Sequence, residues 1–237
     1  MGHDIQLKNI EKSFLVEGQP LEVLKEFDLT VPHHAITVIL GKSGCGKTTL
    51  LRIIGGLDKD FQGTVIYPEK SKTAIVFQEP RLMPWLTVWK NIVFGLKKKE
   101  IREEKIRELI ALTGLSGFEN ALPCQLSGGM GQRTAIARAL AVSPEFLLMD
   151  EPFAALDYFT RSSMQQALLE IHEKNDCGVL FITHSIEEAL TIGDHIVIID
   201  QKKVKKVYHL KEKPAKRNLL SKEMADLKED ILQNINS

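Results

Sequence analysis

At 237 residues the chain is longer than one small domain needs and too short for two unrelated full-sized ones, so a single α/β unit with a modest insertion is expected. Hydrophobic residues make up 43% and charged residues 26%, which builds a core and excludes a disordered or fibrous chain. The 31 basic and 31 acidic residues balance, so no global field draws the protein to nucleic acid or to an anionic bilayer.

Cys45, Cys124 and Cys177 lack paired spacing, which gives neither a disulfide framework nor a zinc site and points to a reducing cytosol. The polar start over residues 1–4 and the lack of any run of about 18 apolar residues argue against a signal peptide or a membrane span. A membrane role would be peripheral.

Residues Ile5 to Val31 alternate apolar and polar positions and are expected to form antiparallel strands beside a main sheet. Four continuous apolar runs then read as buried parallel strands: Ile36 to Leu40, Ala74 to Phe77, Phe146 to Met149 and Val179 to Thr183. Each ends in polar or glycine-rich residues, respectively Gly41 to Thr49, Gln78, Asp150 with Glu151, and His184. Ligands of open α/β sheets bind at the carboxyl ends of the strands, so these four segments propose one common site.

The first of them, GKSGCGKT over Gly41 to Thr48, fits G-x-x-x-x-G-K-[ST]. In this pattern the loop amides of Ser43, Gly44, Cys45 and Gly46 wrap phosphate oxygens, Lys47 reaches the β- and γ-phosphates, Thr48 presents a hydroxyl to Mg²⁺, and Thr49 supports the α-phosphate. A helix over Thr48 to Ile54 follows. Cys45 invites attack by thiol reagents, although a small packed side chain is its simpler meaning.

From Trp85 to Val142 no strand signal occurs, and the segment Lys97 to Leu112 has helical period, so residues of about 86–142 are expected to form an inserted helical subdomain. Pro80 and Pro84 stiffen a loop that bears Trp85, a side chain equally suited to a docking surface or to a core. Within the insertion, Ser127, Gly128 and Gly129 precede a helix over Gln132 to Ala141, as either a plain N-cap or a second anion-binding helix start.

Asp150 is placed to hold the nucleotide's Mg²⁺ and Glu151 to take a proton from attacking water. Gln78 could meet metal or water, although a glutamine after a strand is normally a turn residue, and His184 could hydrogen-bond the γ-phosphate, although a lone histidine is usually structural. A helix over Ser162 to Lys174 lies between the last two strands. The tail from Gln201 carries 10 basic and 5 acidic residues. Its interleaved Leu219, Leu220, Met224, Leu227 and Ile231 favour an ordinary amphipathic helix over a lipid-docking segment.

Together the P-loop, Gln78, LSGGM from Leu126, FLLMDE, ALD from Ala155 to Asp157, and His184 resemble, in order, the nucleotide-binding subunits of ABC transporters over roughly Ile5 to Asp200. The resemblance implies a P-loop NTPase core, a mostly parallel sheet flanked by helices, with an antiparallel β subdomain and an inserted helical one. It divides the chain into a nucleotide-binding unit over 1–210 and a helical tail over 211–237.

It further implies ATP and Mg²⁺ as cofactors and a head-to-tail homodimer in which Ser127, Gly128 and Gly129 of one chain cap the γ-phosphate held by the other. Phe14 would stack on adenine, Gln78 would link the metal site to the transporter, Asp157 would meet the opposite subunit, Glu151 would be the general base, and His184 the switch. Partners would be separate permease subunits, docking near Arg81 to Trp89, and indirectly an extracytoplasmic solute-binding protein, with the ATPase at the cytoplasmic face of the membrane and no nucleic acid bound.

Stretches such as FQEPRLMPWLTVWKNI are most similar to the importer branch serving nitrate, sulfonate and taurine. Lys42, Met130, Phe14 and Gly131 depart from the usual pattern, and Gly131 is expected to weaken its helix by about 1 kcal/mol relative to alanine. The alternatives are an ABC-type ATPase acting on nucleic acid or the ribosome, which the missing heptads and the single cassette disfavour, and a nucleotide switch without turnover.

Overall fold

The computed structural model describes residues 3–69, 71–175 and 177–236. The strands are β1 Ile5–Val16, β2 Gln19–Val31, β3 Ile36–Leu40, β4 Gln62–Ile66, β5 Thr73–Val76, β6 Phe146–Asp150, β7 Gly178–Ile182, β8 His195–Asp200 and β9 Lys203–His209. The α-helices are α1 Lys47–Ile54, α2 Val88–Ile92, α3 Glu103–Leu112, α4 Gly128–Ala141, α5 Tyr158–Asn175, α6 Ile186–Ile192 and α7 Lys222–Asn236.

The main sheet runs β5-β6-β7-β3-β8-β9. Its first five strands are mutually parallel, and β9 closes the edge antiparallel to β8. Strands β3, β6 and β7 are buried at every position, because the sheet is covered on both faces and alternation has no solvent side to mark. A three-stranded antiparallel sheet, β2-β1-β4, joins α1 over one face, where Ile5, Leu7, Phe27, Leu29, Leu50 and Leu51 meet Ile39 and Ile182. Helices α2 to α7 contribute to the core on the other face, with Val88, Ile110, Ile136, Leu168, Leu190 and Ile231.

All four expected parallel strands form, β5 and β7 each a residue earlier at both ends than the apolar runs suggest. The segment expected as one helix over Lys97 to Leu112 is instead a 3-10 turn, Lys98–Glu100, followed by α3. Between residues 97 and 104 only Ile101 is apolar, whereas Ile106, Leu109 and Ile110 give the later part a face to bury. Strand β8 also runs parallel beside β3, on the side away from β7.

The tail helix α7 buries Met224 and Ile231, while Leu219 and Leu220 precede it and stay exposed. Lys206–Asp230 and Lys228–Glu187 contacts of 2.7 and 2.8 Å neutralise part of its charge locally. No helix among the described residues is long and apolar enough to cross a membrane.

Candidate active site

The parallel register brings the carboxyl ends of β5, β6, β7 and β3 to one edge, so Gln78, Asp150 with Glu151, His184 and the P-loop line up in sheet order. The loop leaves β3 and turns into α1 through Gly44 and Gly46, whose φ values of +80° and +98° lie where L side chains are strained. At Gly46 a Cβ would also come within 3.0 Å of Val23, so β2 packs directly on the loop and holds its shape. Lys47, buried, donates from Nζ to the carbonyls of Gly41 and Lys42 at 2.8 and 2.9 Å. Cys45 is half-buried, its Sγ 3.8 Å from that ammonium.

Asp150 is buried at the tip of β6, 5% exposed. Burial holds its carboxyl above the usual carboxylate range, against the opposing pull of a hydrogen bond from Thr48 and the charges of Lys47 and Arg81. A desolvated carboxylate beside a threonine hydroxyl offers oxygen ligands to a divalent cation, and the neighbouring lysine offers a counter-charge to the phosphate that such a cation accompanies. Among the described residues no group of three or more His, Cys, Asp or Glu is placed to hold a metal. A cation here would therefore take its other ligands from phosphate oxygens and water, which is how Mg²⁺ is commonly bound.

Glu151 follows with φ 44°, a left-handed backbone that a residue with a Cβ adopts only when its surroundings enforce it. Its amide donates to the Ile182 carbonyl at 2.9 Å, and its Oε2 lies 3.2 Å from Nδ1 of His184. The tips of β6 and β7 thus fix a carboxylate and an imidazole as a pair.

Ser127 accepts a hydrogen bond from the Met130 amide at 3.2 Å and caps α4. The Gly128 backbone faces open space, whereas a Cβ at Gly129 would press on Leu156 at 3.1 Å. Among the described residues no hydrogen bond joins Ser127, Gly128 or Gly129 to the P-loop of the same chain. Asp157 caps α5 through the Thr160 amide at 3.1 Å, and a hydrogen bond with the Thr160 side chain, first among its contacts, keeps its carboxyl below the usual range. Phe14, at the exposed end of β1 and β2, is 41% exposed, with the Lys12 ammonium 4.7 Å from its ring centre.

The model of the ABC transporter family matches residues 24–154. An uncharacterized ABC transporter ATP-binding protein of Methanocaldococcus jannaschii is 41% identical over 98% of this chain and 94% of its own length. This chain belongs to the ATP-binding subunits of ABC transporters. It binds ATP and is an ATPase. The aliphatic sulfonates import ATP-binding protein of Bacillus cereus is 40% identical to the cassette over 97% of this chain and 94% of its own. That of Bacillus subtilis is 45% identical over 81% and 78%. A solved ATP-binding cassette, dimeric in a post-hydrolysis state with ADP and Pi, shares 32% identity at a TM-score of 0.80, covering 88% of this chain and 99% of that one.

Several residues around the cassette's site carry no local sequence signal. Gln132 donates to the Phe77 carbonyl at 3.0 Å, and Arg138 donates to the carbonyls of Pro80 and Arg81, both at 2.8 Å, so α4 grips the loop that bears Gln78. Buried Asn91 accepts from the Met83 amide at 2.8 Å and donates to the carbonyls of Met83, Leu86 and Thr87 at 3.2, 2.9 and 3.1 Å. It thereby shapes the turn that presents Trp85, which is 72% exposed. Met130, at a position where the family usually has glutamine, packs partly against the core.

Proposed function

We propose that the chain is the ATP-hydrolysing subunit of an importer of small oxyanionic nutrients, aliphatic sulfonates first among them, working through separate permease subunits. The observation that carries the hydrolytic reading is the meeting of the P-loop, Asp150 and the Glu151–His184 pair at one sheet edge. In this reading the Ser43, Gly44, Cys45, Gly46 and Thr49 region binds the phosphates with Lys47, while Thr48, Asp150 and Gln78 surround Mg²⁺. A Mg²⁺ held by these residues would supply positive charge to offset that of the triphosphate.

Glu151 orients water and accepts its proton, while His184, held beside Glu151, hydrogen-bonds the γ-phosphate. Phe14 offers its open face to adenine. Ser127, Gly128, Gly129 and Asp157 serve the site of a second copy in a head-to-tail homodimer, which the dimeric solved relative supports. The nucleotide-binding unit spans 1–210 with the helical insertion at about 86–142, and 211–237 forms the tail. Trp85, exposed on its braced loop, faces the permease at the cytoplasmic side of the membrane, and a solute-binding protein acts from the other side. The names of the Bacillus relatives support the sulfonate assignment.

The test of the site is turnover: Glu151→Gln retains ATP binding and loses about 10²-fold or more in kcat, and a fully active variant would refute the assignment. The solute class is read by reconstituting the cassette with candidate permease subunits. ATPase stimulation by binding protein loaded with an alkanesulfonate, and not by nitrate, is the expected result.

A further inference from the structure

The Glu151–His184 pair is backed by a chain of side chains that reaches the Ala155–Asp157 turn, and none of its members belongs to the motifs above. Arg161, in the first turn of α5, donates from Nη2 to the Leu156 carbonyl at 3.0 Å. Its Nε lies 3.7 Å from Glu188 Oε1 and, though buried, has no hydrogen-bond partner among the described residues. Glu188, on α6, is 6% exposed. Its other oxygen, Oε2, accepts a hydrogen bond of 2.5 Å from the hydroxyl of buried Thr183. The same Thr183 oxygen accepts from the Ser185 amide at 3.1 Å, while Ser185 Oγ accepts from the Glu188 amide at 3.2 Å. These bonds clamp the backbone on both sides of His184.

A buried carboxylate needs a counter-charge and hydrogen bonds, or it costs the fold heavily. Glu188 finds its cation on the helix that Asp157 caps and its donor in the residue before His184. A cavity of about 70 Å³ is lined by Glu151, Ala154, Arg161, His184 and Glu188. We infer that Arg161 and Glu188 are positioning residues, an internal strut that ties the Ala155–Asp157 turn to the Thr183–Ser185 turn and so sets His184 against Glu151. Displacement of the first turn, for instance by a second copy of the chain meeting Asp157, is then passed to His184 through three side chains, Arg161, Glu188 and Thr183. The inference rests on the reading of Glu151 and His184 as the hydrolytic pair.

The test compares kcat, KM for ATP and thermal midpoint for Thr183→Val, Glu188→Gln, Arg161→Met and the Arg161→Met/Thr183→Val double variant, with kcat counted per nucleotide-binding chain. Thr183→Val removes the hydroxyl at nearly constant shape, and Glu188→Gln keeps an acceptor but loses the charge. The expected result is a fall in kcat of about 10- to 100-fold, as for displaced second-layer groups, with KM within about twofold of wild type. The double variant should lose little more than the worse single, because both act through Glu188.

Wild-type kcat in the single variants, losses that multiply, or losses that track nucleotide affinity and thermal midpoint would each overturn the strut. Glu151→Gln, run alongside, separates the two readings. If it is active, the hydrolytic pair itself is misassigned; if it is inactive while Glu188→Gln turns over normally, only the strut fails.

Discussion

Glu151 holds its carboxylate toward His184 by keeping a backbone φ of 44°, a conformation that costs a residue with a Cβ about 1–2 kcal/mol. Glycine adopts it without that cost, so Glu151→Gly should raise the thermal midpoint, by about 2–4 °C per kcal/mol recovered, while ending turnover. Calorimetry beside a phosphate-release assay checks both, and a lowered midpoint would mean that the Glu151 side chain stabilises more than its backbone strains. Asp150 carries a related tension.

Because burial raises the Asp150 pKa in the folded chain, the folded state there binds more protons than the unfolded one. Asp150's contribution to stability is therefore fully present below the ordinary carboxylate range and declines as pH rises through the raised pKa. A bound cation needs the deprotonated form, so the midpoint rise caused by MgATP should grow with pH across that window. At neutral pH and about 100 times Kd the rise should reach about 5–11 °C. Asp150→Asn should show little dependence on pH and a much smaller rise; an unaltered pH profile would exclude Asp150 from the cation site.

Elements were legible where their pattern was local. The continuous runs that became β3, β5, β6 and β7, the Ser127 cap and the P-loop turn each depend on neighbours a few residues away. The side chains that brace the site do not: Arg138 reaches Pro80, Arg161 reaches Glu188, and Asn91 ties a turn that only the folded insertion closes. A glutamine or arginine on a helix reads as solvent-facing until the fold places a carbonyl beneath it. Strand β8 carries an apolar run but ends in no site residue, so no local signal ties it to the site.

Gly131 shows how structure refines an expectation. It sits inside α4, where a Cβ would lie 3.4 Å from Pro80 Cγ, in ordinary contact. Gly131→Ala should therefore stabilise by about 0.5–1 kcal/mol, through a less flexible unfolded chain and better helix propensity. Thermal unfolding reads this directly, and a lower midpoint would show that α4 and the Pro80 loop cannot yield a few tenths of an ångström.

For the molecule as a whole, one chain presents half of two different surfaces. The sheet edge gathers the P-loop and the Glu151–His184 pair, whereas exposed Ser127 caps α4 and Gly128 opens it facing open space, backed by Leu156 through Gly129. Two copies joined head to tail would complete both sites at once, making dimerisation depend on the nucleotide that lies between them. Glu151→Gln in MgATP should then elute as a dimer in size-exclusion chromatography. Adding Gly128→Asp should return it to a monomer, because a carboxylate is driven against phosphate at the junction while the chain's own P-loop is left intact. ATP affinity should stay within about threefold of the single variant, since a Cβ at Gly128 meets nothing within 4 Å in its own chain and an exposed carboxylate is screened by salt. A double variant that still dimerises, or that loses ATP binding in step with the dimer, would place Gly128 at its own chain's nucleotide instead of a partner's.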